Sequence, residues 1–140
     1  MQRGLRRLPR RGRGRGGKRL SETLKWELEW GAEYQTLLEI AKSGHTPEAL
    51  ERRPELPPQL AYYLDVFYTL SRGRSISGMG TPGPIPLSEF AAFFEIYDIR
   101  SQAQRDWLLR LLSKLDGVYL KHVSEKQASQ FSSQPKSPSP

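Results

Sequence analysis

The residues in this sequence that could act as acids, bases or nucleophiles are few and scattered. There are two histidines, His45 and His122, and no cysteine, which excludes thiolate catalysis, a disulfide scaffold and cysteine-ligated zinc. His45 sits in a turn beside Gly44, where capping of a helix end accounts for it. His122 falls on the apolar side of a helical pattern, the place of a packed histidine more than of a proton shuttle. Glu27 and Asp65 are lone acids among apolar neighbours, and a hydrogen-bonded structural role is the commoner use of such groups. The Gly-rich run Ser77-Gly-Met-Gly-Thr-Pro-Gly-Pro-Ile-Pro86 lacks the Gly-Lys-Ser/Thr ending of a phosphate-binding loop and follows a helix, so a nucleotide cradle is excluded. Arg72 and Arg74 stand near a helix C-terminus, where the helix dipole favours cations without any ligand. No catalytic constellation forms, and neither an enzyme nor a bound cofactor or metal is expected.

Charge is unevenly spread. Of the 22 Lys and Arg, nine lie in residues 1–19, which hold no acid; residues 20–140 carry thirteen against all fifteen acids. The net charge of +7 therefore belongs to the start of the chain. Arg and Gly alternate there, and Arg6, Arg7, Arg10, Arg11, Arg13 and Arg15 are candidate phosphate contacts in a nucleic-acid-binding arm. No Phe or Tyr is interleaved to stack on bases, and nucleic acid is the lesser expectation. Arg, Gly and Pro are also the residues of GC-rich codons, so a shifted-frame or upstream stretch would read the same way. No apolar run approaches the ~18–20 residues of a membrane span, and no apolar segment follows the basic start as a secretory signal requires.

Composition divides the 140 residues into three zones: a disordered Arg/Gly-rich tail at 1–19, a helical domain at 20–127, and a disordered Ser/Pro-rich tail at 128–140. The expected architecture is all-α, a small bundle of four to five helices. Leu20, Leu24, Leu28, Trp30, Tyr34, Leu37, Leu38 and Ala41 share one face of a helix over 20–43, opposite Glu22, Lys25, Glu29, Glu33 and Glu39. Gly44 ends it, and Thr46-Pro47 offers an N-cap and a first-turn proline for a short helix to Arg52. A largely apolar helix is expected over 58–71, and residues 73–86 form a loop. Phe90, Phe93, Phe94 and Tyr97 mark the next helix. Ser101-Gln-Ala-Gln104 reads as a capping box opening the longest one, over 102–126.

Two groups of residues suit a protein partner. Trp26, Trp30 and Tyr34 belong to the types most enriched at interface hot spots, and they serve equally as core. Gly78, Met79, Gly80, Gly83, Pro84, Ile85 and Pro86 make a flexible-then-stiff strap, either a connector or a recognition loop.

Four pieces in order carry a resemblance. They are Thr46-Pro-Glu-Ala-Leu50 with Pro54-Glu-Leu-Pro-Pro58, then Tyr63-Leu-Asp-Val-Phe67 through Leu70-Ser-Arg72, then Gly78-Met-Gly80 with Gly83-Pro-Ile-Pro86, and last Leu112-Ser-Lys-Leu-Asp-Gly-Val-Tyr-Leu120. Residues 46–120 in this order resemble the tail assembly chaperones of tailed phages and prophages. Leu87 departs from the pattern, where an aromatic residue is expected. The resemblance implies a helical, non-enzymatic protein of the host bacterial cytoplasm, absent from the mature virion. It would bind the tape-measure protein, the major tail-tube protein or both, with a companion chaperone as a further partner. The downstream member of such a pair is often made by programmed frameshifting, which suits the Arg/Gly start. The other readings are the nucleic-acid-binding arm and a structural head–tail or tail component of the virion.

Overall fold

A computed structural model describes residues 13–133. The order is α1 (Arg13–Trp30), a 3-10 turn (Gly31–Glu33), α2 (Tyr34–Lys42), α3 (Glu48–Glu51), α4 (Pro58–Ser71), α5 (Leu87–Ile96) and α6 (Gln102–Ser133). The described residues are all-α; the one extended feature is an isolated antiparallel bridge between Ile76 and Pro82.

The helix expected over 20–43 is two helices joined by a tighter turn. Backbone angles at Trp30 and Glu33 leave the helical region on either side of Gly31, the residue with most to lose in a helix. Gly44 takes φ +109°, and its N–H reaches the carbonyl of Ala41, as expected of a glycine just past a helix end. Thr46 does not cap α3: extended Pro47 stands at the N-cap, and its carbonyl accepts from Leu50 and Glu51. Helix α4 has the expected bounds, with Pro58 in its first turn. Gln104 N–H reaches Ser101 Oγ at 3.2 Å, the forward half of the expected capping box.

Both ends of the helical body reach further than composition suggests. Helix α1 starts at Arg13, inside the stretch read as tail, and α6 runs to Ser133. Packing explains the first: a Cβ on Gly16 would sit 3.5 Å from Leu60, and one on Gly17 would lie 3.9 Å from Leu111. These are ordinary contact distances, and they place this turn of α1 against α4 and α6. Arg6, Arg7, Arg10 and Arg11 lie outside the described residues.

One core joins α1, α4, α5 and α6. Leu20 and Leu24 of α1 meet Leu64, Phe67 and Leu70 of α4, Phe90, Phe93 and Phe94 of α5, and Leu108, Leu112 and Leu115 of α6. Gly16 lies beside Leu60 and Glu27 is bonded to Tyr68, so α1 and α4 run in the same direction. Tyr63 packs on Trp107 and Phe67 on Tyr119, which sets α6 parallel to both. Helix α5 runs back between the strap and the start of α6. Its end is closed by Asp98 at φ 52°, with Ile99 N–H bonded to the Phe94 carbonyl.

Candidate functional site: an anchored strap beside an aromatic clamp

The strap leaves α4 at Arg72, turns at its tip and returns to α5 through Pro86. Ser77 organises the tip. Its N–H donates to the Thr81 carbonyl at 2.9 Å, its carbonyl accepts from Gly80 N–H, and its Oγ accepts from the N–H groups of Thr81 and Met79. Gly80 has φ +80°, which this tight turn requires and an L side chain resists. The turn presents its side chains outward. Met79 is 88% exposed and Ile76 68%.

The base of the strap is held very differently. Arg74 Nη1 donates to the Gly83 carbonyl at 2.8 Å, and Nη2 donates to Ser71 Oγ at 3.0 Å. Asp116 of α6 accepts from Ile85 N–H at 2.9 Å through Oδ2. Its Oδ1 lies 2.7 Å from Arg74 Nη1 but off the line of its N–H bonds, so that contact is charge attraction, and Oδ1 accepts no hydrogen bond. The two side chains are only 5% and 9% exposed. The guanidinium also stacks over Tyr119, 4.3 Å from the ring centre. Between the limbs, Gly83 N–H bonds the Ser75 carbonyl at 2.8 Å, and a Cβ on Gly83 would fall 2.9 Å from Ser75 Oγ. Ile85 is buried in the core, while Gly78, Gly80 and Pro84 face solvent.

Sequence reasoning assigned Arg74 to a helix dipole and passed over Asp116. Asp116 nevertheless lies on the apolar stripe, one turn after Leu112 and two after Leu108, and a lone acid in that arc was the available signal. Arg74 gives no comparable sign.

The aromatic group lies elsewhere, where α1, α2 and α3 meet. Trp26 is buried, and its indole N–H donates to the Ala49 carbonyl at 2.8 Å. Tyr34 meets the Trp26 ring edge-on at 5.9 Å. The Arg53 guanidinium lies over both rings and donates to the Tyr34 hydroxyl at 2.9 Å. These contacts clamp the α3 segment onto α1 and α2. Trp30 is half-buried and lines an open groove of about 670 Å³ with Trp26, Leu37, Pro47 and Pro54.

His45 is exposed and His122 half-buried, and the described residues hold no group of three or more His, Cys, Asp or Glu that could bind a metal. Glu27 takes the structural role expected of it, accepting from the Tyr68 hydroxyl at 3.0 Å, whereas Asp65 is exposed. Burial, and next the negative charge of Glu27, hold the Tyr68 proton well beyond an ordinary phenol's pKa. No described helix is long and apolar enough to cross a membrane.

A family model described as phage tail assembly chaperone matches residues 40–121. The chain belongs to that family. No curated protein and no solved structure matches it. The span shared with the tail assembly chaperones contains the whole strap, Arg74, Asp116 and Tyr119. It leaves out Trp26, Trp30 and Tyr34, although α1 supplies Leu20 and Leu24 to the core.

Proposed function

We propose that this tail assembly chaperone captures the tape-measure protein, the major tail-tube protein or both through the tip of the strap, by contact alone and without covalent chemistry. The observation that carries the reading is the contrast within one loop. Ile76 and Met79 are offered to water at the tip, while the base is fixed by a buried ion pair. Exposed apolar side chains on an ordered turn contribute nothing to the core, and their placement together at the tip fits a surface kept for a partner. Methionine suits a client whose apolar face varies along its length, because its thioether side chain repacks easily. Family membership supports a tail protein as the client and the host bacterial cytoplasm as the place; in this reading the chaperone leaves before the virion is complete. Trp30 and the groove beside it form a second contact surface in this reading; Trp26 and Tyr34 hold that surface in shape.

The test is co-expression of the full chain with the tape-measure and tail-tube proteins, then capture at low and high salt. Capture that survives high salt and is lost on Ile76→Ser with Met79→Ser supports the reading. Capture unaffected by those changes overturns the strap as the contact. Recovery of nucleic acid alone, released by salt, would move the function to the Arg-rich arm.

A further inference from the structure

The strap's tip is exposed, and its two limbs carry it. The limbs bond each other at Ser77–Thr81 and at Ser75–Gly83, and a buried junction ties them to the body. Arg74 leaves on the first limb, Gly83 and Ile85 return on the second, and Asp116 stands on α6 beneath both. The guanidinium bonds the returning limb at Gly83 and the end of α4 at Ser71. The carboxylate takes Ile85 N–H and faces the guanidinium. Tyr119 fixes the plane of the guanidinium at 4.3 Å and is itself packed on Phe67, which ties the assembly to the core.

For stability alone this arrangement is a poor choice. Two apolar side chains of similar volume would hold a loop against a helix at least as well, because a buried ion pair costs much of its Coulombic gain in desolvation. What the pair adds is direction: the guanidinium's donors fix the Gly83 carbonyl and the Ser71 hydroxyl, while Asp116 fixes Ile85 N–H. We infer that Arg74, Asp116 and Tyr119 form a latch whose purpose is to position the strap for client capture. They are positioning residues and touch no client themselves. The inference rests on the proposed contact at the tip, and the latch and the contact can fail separately.

The experiment uses the full chain, the tape-measure protein as client, and hydrogen exchange alongside capture. The informative amides are Gly83 and Ser77, whose acceptors, the carbonyls of Ser75 and Thr81, no latch variant removes. Replacing Arg74→Met together with Asp116→Leu roughly keeps the volume and leaves no orphan charge, though Ile85 N–H and the Gly83 carbonyl lose their partners. Arg74→Lys keeps the charge but loses the fork, and carries the test if the double variant does not fold. Exchange at Gly83 and Ser77 should rise about tenfold or more, the loss of a charge-assisted hydrogen bond, and by more than at core amides such as Phe67, which report global stability. Capture should fall by a similar factor. Capture lost by Ile76→Ser with Met79→Ser but kept by the latch variants overturns the latch and leaves the contact standing. Unchanged exchange at Gly83 and Ser77 overturns it too. Capture kept by the tip variants overturns both.

Discussion

Arg74 and Asp116, far apart in the chain, meet 2.7 Å apart with both side chains almost wholly buried, and between them they fix three backbone or hydroxyl groups of the strap and of α4. Three of the four sequence pieces that carry the resemblance converge here, all within the span that the family model matches. Residues 70–72 lead into Arg74, residues 83–86 return past it, and residues 112–120 supply Asp116 and Tyr119.

Breaking that junction from one side should be costly. Arg74→Ala leaves a buried carboxylate, and Asp116→Ala leaves a buried guanidinium and an unpaired Ile85 N–H. Each should lower unfolding free energy by about 3–5 kcal/mol, whereas Arg74→Met with Asp116→Leu should cost only about 1–3 kcal/mol, because it strands no charge and leaves only Ile85 N–H and the Gly83 carbonyl without their partners. Urea unfolding of the three variants measures this. A single variant that loses less than ~1 kcal/mol would show that water already reaches the pair.

The helices were legible because their signals are local. Pro58 opens α4 and the Leu60, Tyr63, Leu64, Phe67, Leu70 stripe turns inward as its spacing requires, with Tyr63, Leu64, Phe67 and Leu70 buried. Phe90, Phe93 and Phe94 are buried for the same reason. The break at Gly31 was not legible, since the apolar stripe continues across it. Helix α1 begins at Arg13, ahead of Leu20, the first residue of its apolar stripe, where Arg and Gly carry no periodic signal. Pairing Arg74 with Asp116 needs the fold itself, because no periodicity links a loop residue to one on a helix. The strap was found from Gly and Pro content, but its division into a fixed base and an open tip was not.

Trp26 and Trp30 should separate under mutation. Trp26→Ala removes a buried ring and the bond to Ala49, and should cost about 3–5 kcal/mol. Trp30→Ala, at a half-buried position, should cost less than about 2 kcal/mol while weakening client capture. Unfolding curves and capture assays on the same samples compare them. Equal destabilisation by the two would assign Trp30 to the fold alone.

Glycine in the middle of α6 invites a stabilising change. A Cβ on Gly117 would meet nothing within 4 Å, so Gly117→Ala should gain up to about 1 kcal/mol of helix stability. Gly16→Ala meets only ordinary contacts and should gain a similar amount. Thermal unfolding decides, and a fall in midpoint for Gly117→Ala would mean that the bare backbone there is needed by something beyond the helix. By contrast Gly44→Ala should lose about 1 kcal/mol, because φ +109° strains any side chain.

Tyr68 should leave a signature in alkali. Its hydroxyl donates to Glu27, and burial, the charge of Glu27 and the more distant Asp65 all oppose ionisation, so the folded pKa stands above the ordinary 10.0 that the unfolded chain retains. Below pH 10.0 both states hold the proton and the stabilising contribution is complete. Above it the unfolded chain releases the proton while the folded chain keeps it. Unfolding then liberates a proton, and stability falls as pH rises until the folded hydroxyl ionises too. Other tyrosines titrate in the same range, so the comparison that isolates Tyr68 is between the native chain and Tyr68→Phe. Urea midpoints taken from about pH 9 to about pH 11 should fall more steeply for the native chain. Parallel curves would mean that the Glu27 contact does not persist in solution, and that α1 and α4 are held together by the core alone.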